Sequence, residues 1–259
     1  MNTFANLIQG AISKTGFLLT RKSSLEQIKG NAVRDVELIK RYSSTAFLAQ
    51  IVQYLSESRA QFRQDIFALA ESGFKRGGYF VEFGATDGIT GSNSFLLESQ
   101  FGWSGVVAEP ALRFHADLAK NRTCVRDVRA VWAQSGQELS FKEAKIGALS
   151  TFRHLEGKDQ YRRLRKRGKV YPVQTVSLLD LLDQNRAPRE IDYLSVDTEG
   201  SELEILQAFD FSKYQFRSIT VEHNFGPNRQ KIFACLKDAG YHRVHDDISG
   251  VDDWYIPLQ

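Results

Sequence analysis

The sequence predicts an α/β fold with a largely parallel sheet, preceded by a helical segment. Three observations predict it. Up to about residue 75 apolar residues recur at helical intervals and strand signals are few. At Gly77-Gly78 the texture changes, and short β-rich apolar runs then alternate with helical stretches, as βαβ units require. The first of those runs, Tyr79 to Phe83, leads into a glycine turn flanked by acids. A strand, a glycine turn and a helix start together suit a nucleotide-like cofactor.

The elements follow in order. Phe4, Leu7, Ile8, Ile12, Phe17, Leu18 and Leu19 recur at helical spacing, broken by Gln9, Ser13 and Lys14. No basic start or small-residue cleavage site accompanies them, so the expectation is a packing helix or a peripheral membrane helix rather than a leader. Leu25 to Ile39, Phe47 to Leu55 and Phe62 to Leu69 continue the helical pattern. The expected division is a helical accessory segment over 1–75 and an α/β domain over 76–259. Strands are expected at Tyr79–Phe83, Gly105–Glu109, Thr123–Val131, Leu139–Phe141, Val170–Val176, Ile191–Asp197, Ser218–Glu222, Tyr241–His245 and Trp254–Ile256. Helices are expected at Ser92–Gln100, Leu112–Asn121, Ser177–Asn185, Ser201–Phe209 and Asn228–Ala239, the last stopped by Gly240.

Composition narrows the class. At 42% hydrophobic and 25% charged residues the chain can bury a sizeable core. A net charge of +3 is too small to argue for nucleic acid. No apolar run reaches the roughly 20 residues that span a bilayer. The two cysteines, Cys124 and Cys235, form no CxxC or His/Cys cluster, which disfavours disulfides and structural zinc and favours a reducing, cytoplasmic compartment.

Parallel sheets bind ligands at the carboxyl ends of their strands. Here four strand ends carry acids: Glu82 before Gly84 and Asp87-Gly88, Glu109-Pro110, Asp197, and Glu222-His223-Asn224. The interior of a parallel strand is apolar, so this clustering is informative. The Glu82-x-Gly84-x-x-x-Gly88 turn is not the GxGxxG fingerprint, and its acids would repel a pyrophosphate. They suit a cofactor that carries an ammonium and a sulfonium and no phosphate, which describes S-adenosylmethionine. Glu109, 25 positions after Gly84, is placed to accept both ribose hydroxyls.

Over about residues 59 to 256 the chain resembles the FkbM-type S-adenosylmethionine-dependent methyltransferases. The resemblance rests on Gln61-x-x-Gln64-Asp65, Phe80 to Gly88, Ser92-Asn93-Ser94, Gly102 to Gly105 leading to Glu109-Pro110, and Ala130-Val131 with Gly136. Thr175 to Asp180 and Ile191 to Glu202 complete it, and Asp197-Thr198-Glu199-Gly200-Ser201-Glu202 is its most specific piece. Thr86 stands where the family commonly has Asn. The resemblance implies a Rossmann-like class I methyltransferase, a seven-stranded, mostly parallel sheet with helices on both faces and the last strand antiparallel. It implies that Glu82, Gly84, Ala85, Asp87 and Gly88 line the methionine end of the cofactor. Asn93 and Ser94 would meet its carboxylate and Glu109 its ribose. Asp127, Ala130 and Val131 would lie near the adenine, and Asp197 below the methyl group.

Transfer to a hydroxyl needs a base. His223, beside Glu222 at a strand end, is one candidate, and Asp197 is the other. A divalent cation on Asp197, Glu222 and Asn224 is a less favoured alternative, and the expected metal requirement is none. Six positive side chains in the eight positions Arg162 to Lys169 either face solvent or recognise an anionic acceptor, a small molecule or glycan, with His154, Tyr161 and Tyr171 nearby. The competing functional reading is a catalytically silent relative that binds a partner. An oxidoreductase lacks its GxGxxG here, and the Asn/Asp-Pro-Pro-Tyr and Pro-Cys patterns of base methyltransferases are missing.

Overall fold

The computed structural model describes residues 22–42, 45–144, 150–152 and 168–258. Three helices come first: α1 (Lys22–Arg41), α2 (Thr45–Leu55) and α3 (Gln64–Glu71). The α/β part then runs β1 (Tyr79–Phe83), α4 (Phe95–Phe101), β2 (Ser104–Ala108), α5 (His115–Asn121), β3 (Val125–Asp127), β4 (Ala130–Trp132), β5 (Glu138–Glu143) and β6 (Thr151–Phe152). It continues with β7 (Lys169–Ser177), α6 (Leu178–Gln184), β8 (Glu190–Val196), α7 (Glu202–Ala208), β9 (Gln215–Glu222), α8 (Arg229–Asp238), β10 (Tyr241–Val244) and β11 (Asp252–Pro257). Among the described residues no helix is long and apolar enough to cross a membrane.

The main sheet has seven strands in the order β10-β11-β9-β8-β1-β2-β3. Pairing is parallel except at β11, which runs antiparallel to both β9 and β10. This is the seven-stranded doubly wound sheet with helices on both faces that the resemblance implies. Chain order reverses between β1 and β8, which makes the carboxyl edge there the place for a ligand.

Side chains alternate across the sheet, so each strand feeds two cores. Val81, Phe83, Val106, Leu194 and Val196 pack on one face with Leu181, Leu206 and Leu236 from the helices α6, α7 and α8. Phe80, Val107, Tyr193 and Trp254 pack on the other with Leu97 of α4 and Leu118 of α5. Helices α1 to α3 cover that second face: Leu38, Ile51, Ile66 and Phe67 are fully buried there, and Phe67 stacks on Trp254 with centroids 4.7 Å apart. Burying each such side chain contributes roughly 1.5–3 kcal/mol. The helices are also tied by polar bonds, Arg63 to Asp35 at 2.8 Å and Arg34 Nε to the Ile248 carbonyl at 2.5 Å.

Two expectations change. Thr123–Val131 reads as one strand in the sequence but breaks in two. Asp127 accepts the Arg129 backbone N–H at 2.8 Å and pairs with its guanidinium, so the ladder stops there. The chain then leaves the main sheet, and β4 enters a second, four-stranded sheet in the order β4-β7-β5-β6. The expected strands at Leu139–Phe141 and Val170–Val176 therefore form an antiparallel pair in that second sheet, with Phe141 opposite Tyr171.

Candidate functional site

Strand register builds the site. Phe83 of β1 lies opposite Ala108 of β2 and Val196 of β8, and Val196 lies opposite Val221 of β9. The next residue on each strand therefore falls in one row along the carboxyl edge: Glu109, Gly84, Asp197 and Glu222. Gly84 can have no side chain there. Its φ is +77° and a Cβ would meet the Asp197 carbonyl oxygen at 2.1 Å. The close approach of β1 and β8 leaves a cleft above them.

That cleft holds about 830 Å³ of space, open solvent included. Its walls include Phe83, Gly84, Thr86, Ala108, Glu109, Pro110, Ala130, Val131, Asp197 and Glu199, with Gln61 from ahead of α3. Phe141 and Phe152 of the second sheet close it from above the strand ends. Glu109 is almost fully buried and accepts the Thr86 N–H at 2.9 Å and the Ala111 N–H at 2.8 Å. Burial pushes its carboxyl up to about 7, although both backbone hydrogen bonds pull the other way.

A second cavity, with about 1230 Å³ of space, opens beside the first over the ends of β8 and β9. Glu199 lines both. Asp197 lines the cleft and Glu222 the cavity, and an Asp197, a Glu199 and a Glu222 oxygen lie within 4.8 Å of one another. Asp197 and Glu222 face each other at that range, and two carboxyl groups so placed can hydrogen-bond only if one keeps its proton. Burial, then the surrounding carboxylates, raises both groups well above the usual carboxylate range.

His223 is buried beside them and also lines the second cavity. Its Nδ1 accepts the Phe225 N–H at 2.9 Å, so a neutral ring carries its proton on Nε2. Burial lowers its pKa and favours that neutral form. Nε2 has no hydrogen-bond partner, and Asp253 Oδ1 is 3.6 Å away. In this state the ring has no free lone pair with which to take a proton. Three non-glycine residues around the cavity hold left-handed backbone, Glu199 at +58°, Asn224 at +44° and Phe225 at +54°. Such strain gathers at functional sites.

The profile of the Methyltransferase FkbM domain matches residues 82–246, well over half of the chain. The chain belongs to the FkbM methyltransferase family. Among solved structures it is similar to the FkbM methyltransferase from Methylobacillus flagellatus KT, at 13% identity over 89% of this chain and 59% of that one, with a TM-score of 0.43. It is also similar to precorrin-6y C5,15-methyltransferase from Geobacter metallireducens GS-15, at 11% identity over 70% and 71% of the two chains and a TM-score of 0.37. A TehB-like SAM-dependent methyltransferase from Corynebacterium glutamicum ATCC 13032 Kitasato aligns at 9% identity over 81% and 93%, with a TM-score of 0.38. This chain thus spans less than two thirds of the Methylobacillus protein. No curated protein sequence matches it.

In this FkbM methyltransferase the residues singled out from the sequence fall into three groups. Gly84, Glu109, Pro110, Ala130, Val131 and Asp197 line the cleft, and Glu222 and His223 line the adjoining cavity. A second group supports the cleft floor from beneath. Glu82 is buried, accepting from Ser92 Oγ at 2.9 Å, Asn93 N at 2.6 Å and Ser94 Oγ at 2.5 Å, with Arg122 3.5 Å away. Asn93 Nδ2 donates to Ser195 Oγ at 2.9 Å, while its Oδ1 is buried without a partner. Ala85 is fully buried, and Gly88 leaves room for Arg122, whose Cγ would lie 2.6 Å from a Cβ. A third group turns away. Asp87 accepts the Ile89 and Thr90 N–H groups at 2.9 and 2.7 Å and so shapes its own turn, and Asp127 is held by Arg129.

Tyr171 donates to Glu143 at 2.7 Å and packs on Phe141. Arg162 to Arg167, His154 and Tyr161 lie outside the described residues. Sequence reasoning did not assign Thr86, Thr90, Gln61, Phe141, Phe152 or Glu199 to the site. Glu199 and Gln61 stood in quoted motifs, whereas the two phenylalanines gave no signal, because only the second sheet carries them there.

Proposed function

We propose that the protein is an S-adenosylmethionine-dependent O-methyltransferase acting on a hydroxyl of a small-molecule or glycan acceptor. The observation that carries this reading is the junction of two cavities at the facing carboxyl groups of Asp197 and Glu222. The cleft fits the cofactor by its chemistry. Gly84 gives backbone-close access, Glu109 offers a desolvated carboxylate for vicinal hydroxyls, and Phe141, Phe152 and Val131 offer apolar walls for a base. Its carboxylates suit a cation and oppose a phosphate.

Glu109 would hold the ribose and Asp197 would face the reacting end. Glu82 acts through the residues it fixes: it holds Ser92 to Ser94 and Arg122, and with them the turn from Gly84 to Gly91. Gln61 closes the cleft from the helical segment, giving the first 75 residues a part in the site. S-adenosylmethionine held there by Glu109 and the Gly84 turn would supply a sulfonium methyl group for transfer to the acceptor oxygen.

The chain's own task is then alignment and proton removal. The ionised member of the Asp197–Glu222 pair takes the hydroxyl proton, and burial raises its affinity for that proton. His223 donates from Nε2, which positions the acceptor oxygen. Calorimetric titration with S-adenosylmethionine tests the reading. Saturable one-site binding, weakened by Glu109→Ala, is expected; no binding contradicts it and favours a silent partner-binding relative.

A further inference from the structure

Resting on the proposed transfer reaction, we infer that the second cavity is the acceptor site and that it selects an amino alcohol. The acceptor presents a protonated amino group beside the hydroxyl that is methylated. Glu199, Glu202, Glu204 and Glu222 line the cavity, with Lys231 as the one lysine or arginine among its described lining residues. Glu202 is committed to the turn below, accepting the Thr198 and Gly200 N–H groups at 3.0 and 2.9 Å. Glu204 is not so committed: its Oε2 is buried and has no partner. A buried carboxylate oxygen left unpaired is costly, and an entering ammonium would satisfy it.

The second observation is independent of the acids. His223 is 7% exposed, lines the same cavity, and carries an unpartnered Nε2–H. That donor needs an oxygen acceptor, while the carboxyl pair beside it needs a donor. A hydroxyl group is both, and His223 and Glu222 line the same cavity. An ammonium alone cannot satisfy the His223 N–H, and a carboxylate ligand would meet repulsion from the acids. Phe225, 68% exposed, packs edge-on against the His223 ring with centroids 5.2 Å apart. The sign of this cavity is opposite to that of the Arg162–Lys169 run, which lies mostly outside the described residues.

Three two-carbon probes separate the possibilities: 2-aminoethanol, ethane-1,2-diol and glycolate. Each is titrated into the full chain with S-adenosylhomocysteine present, while backbone amide NMR follows Gly200, Asn224 and Gly226. Calorimetry on the same sample reports cofactor binding separately. If S-adenosylhomocysteine does not bind, the titration of the free chain still reads the cavity. 2-Aminoethanol is expected to shift those three signals saturably, at least about tenfold more tightly than ethane-1,2-diol, with glycolate weakest. Glu204→Gln is expected to remove most of that advantage while leaving S-adenosylhomocysteine affinity unchanged. Equal or tighter binding of glycolate, no preference for the amine, or shifts that bypass the cavity would overturn the assignment.

Discussion

Asp197 and Glu222 lie side by side across the end of the sheet, with carboxyl oxygens within 4.8 Å of each other. They are the first residues past the paired positions Val196 and Val221, so the parallel register alone brings them together. In the proposed reaction one of the two is the base, held between the two cavities.

Removing the base should slow transfer and spare cofactor binding. Glu222→Gln, which lies outside the cleft, should lower kcat by about 10²–10⁴-fold and leave S-adenosylhomocysteine affinity within about threefold of the parent. The rate should fall as pH drops and both carboxyl groups become protonated, and this dependence should vanish in the variant. Steady-state kinetics over a pH series checks it. A variant with parent-like kcat would return the base role to another group.

Glu109 makes two measurements predictable. Glu109→Ala should weaken S-adenosylhomocysteine by about 1–3 kcal/mol, the scale of charge-assisted hydrogen bonds. Its carboxyl sits at about 7 because it is buried, and Asp252 is raised to about 7 for the same reason. Groups raised in the folded state stabilise it fully below their unfolded pKa, and that contribution is lost as pH rises through about 7. The cofactor-free protein should therefore melt at lower temperature above neutrality than near pH 5. Glu109→Gln should flatten part of that slope in calorimetric scans, and an unchanged slope would show that Glu109 does not titrate there.

Gly84 and Arg122 test the frame beneath the cleft. Gly84→Ala would force a Cβ to 2.1 Å from the Asp197 carbonyl oxygen at a φ of +77°. A loss of about 3 kcal/mol or more is expected from urea unfolding. The Arg122 side chain is fully buried between Glu82 and Glu98 and lies over the Phe80 ring. Arg122→Ala should cost roughly 3–5 kcal/mol, because it leaves buried carboxylates without their cation.

Chelation separates a proton-sharing pair from a cation site. With Asp197 and Glu222 acting as a proton-sharing pair, transfer should persist in EDTA and gain nothing from added magnesium. Loss of activity in EDTA with recovery on magnesium would assign Asp197, Glu199 and Glu222 to a metal instead.

Much of this was legible in the sequence, for physical reasons. The inner strands are mostly apolar, so the acids Glu109, Asp197 and Glu222 stand out at their ends, although Glu82 and Asp192 lie buried within β1 and β8. What composition could not show is where each acid points. Glu82 and Asp87 look like ligand groups in the sequence, yet neighbouring N–H and hydroxyl groups take up their oxygens. The second sheet was hidden because Asp127 and Arg129 break a run that reads as one strand. The state of the His223 ring depends on the backbone of Phe225, a left-handed turn that no spacing rule predicts.

The most direct test is a crystal structure with S-adenosylhomocysteine bound. The account predicts both ribose hydroxyls on the Glu109 carboxylate, the base between Val131 and Phe141, and the sulfur directed past Asp197 toward the cavity of Glu222 and His223. A ligand seated elsewhere, or one whose sulfur faces away from that cavity, would contradict it.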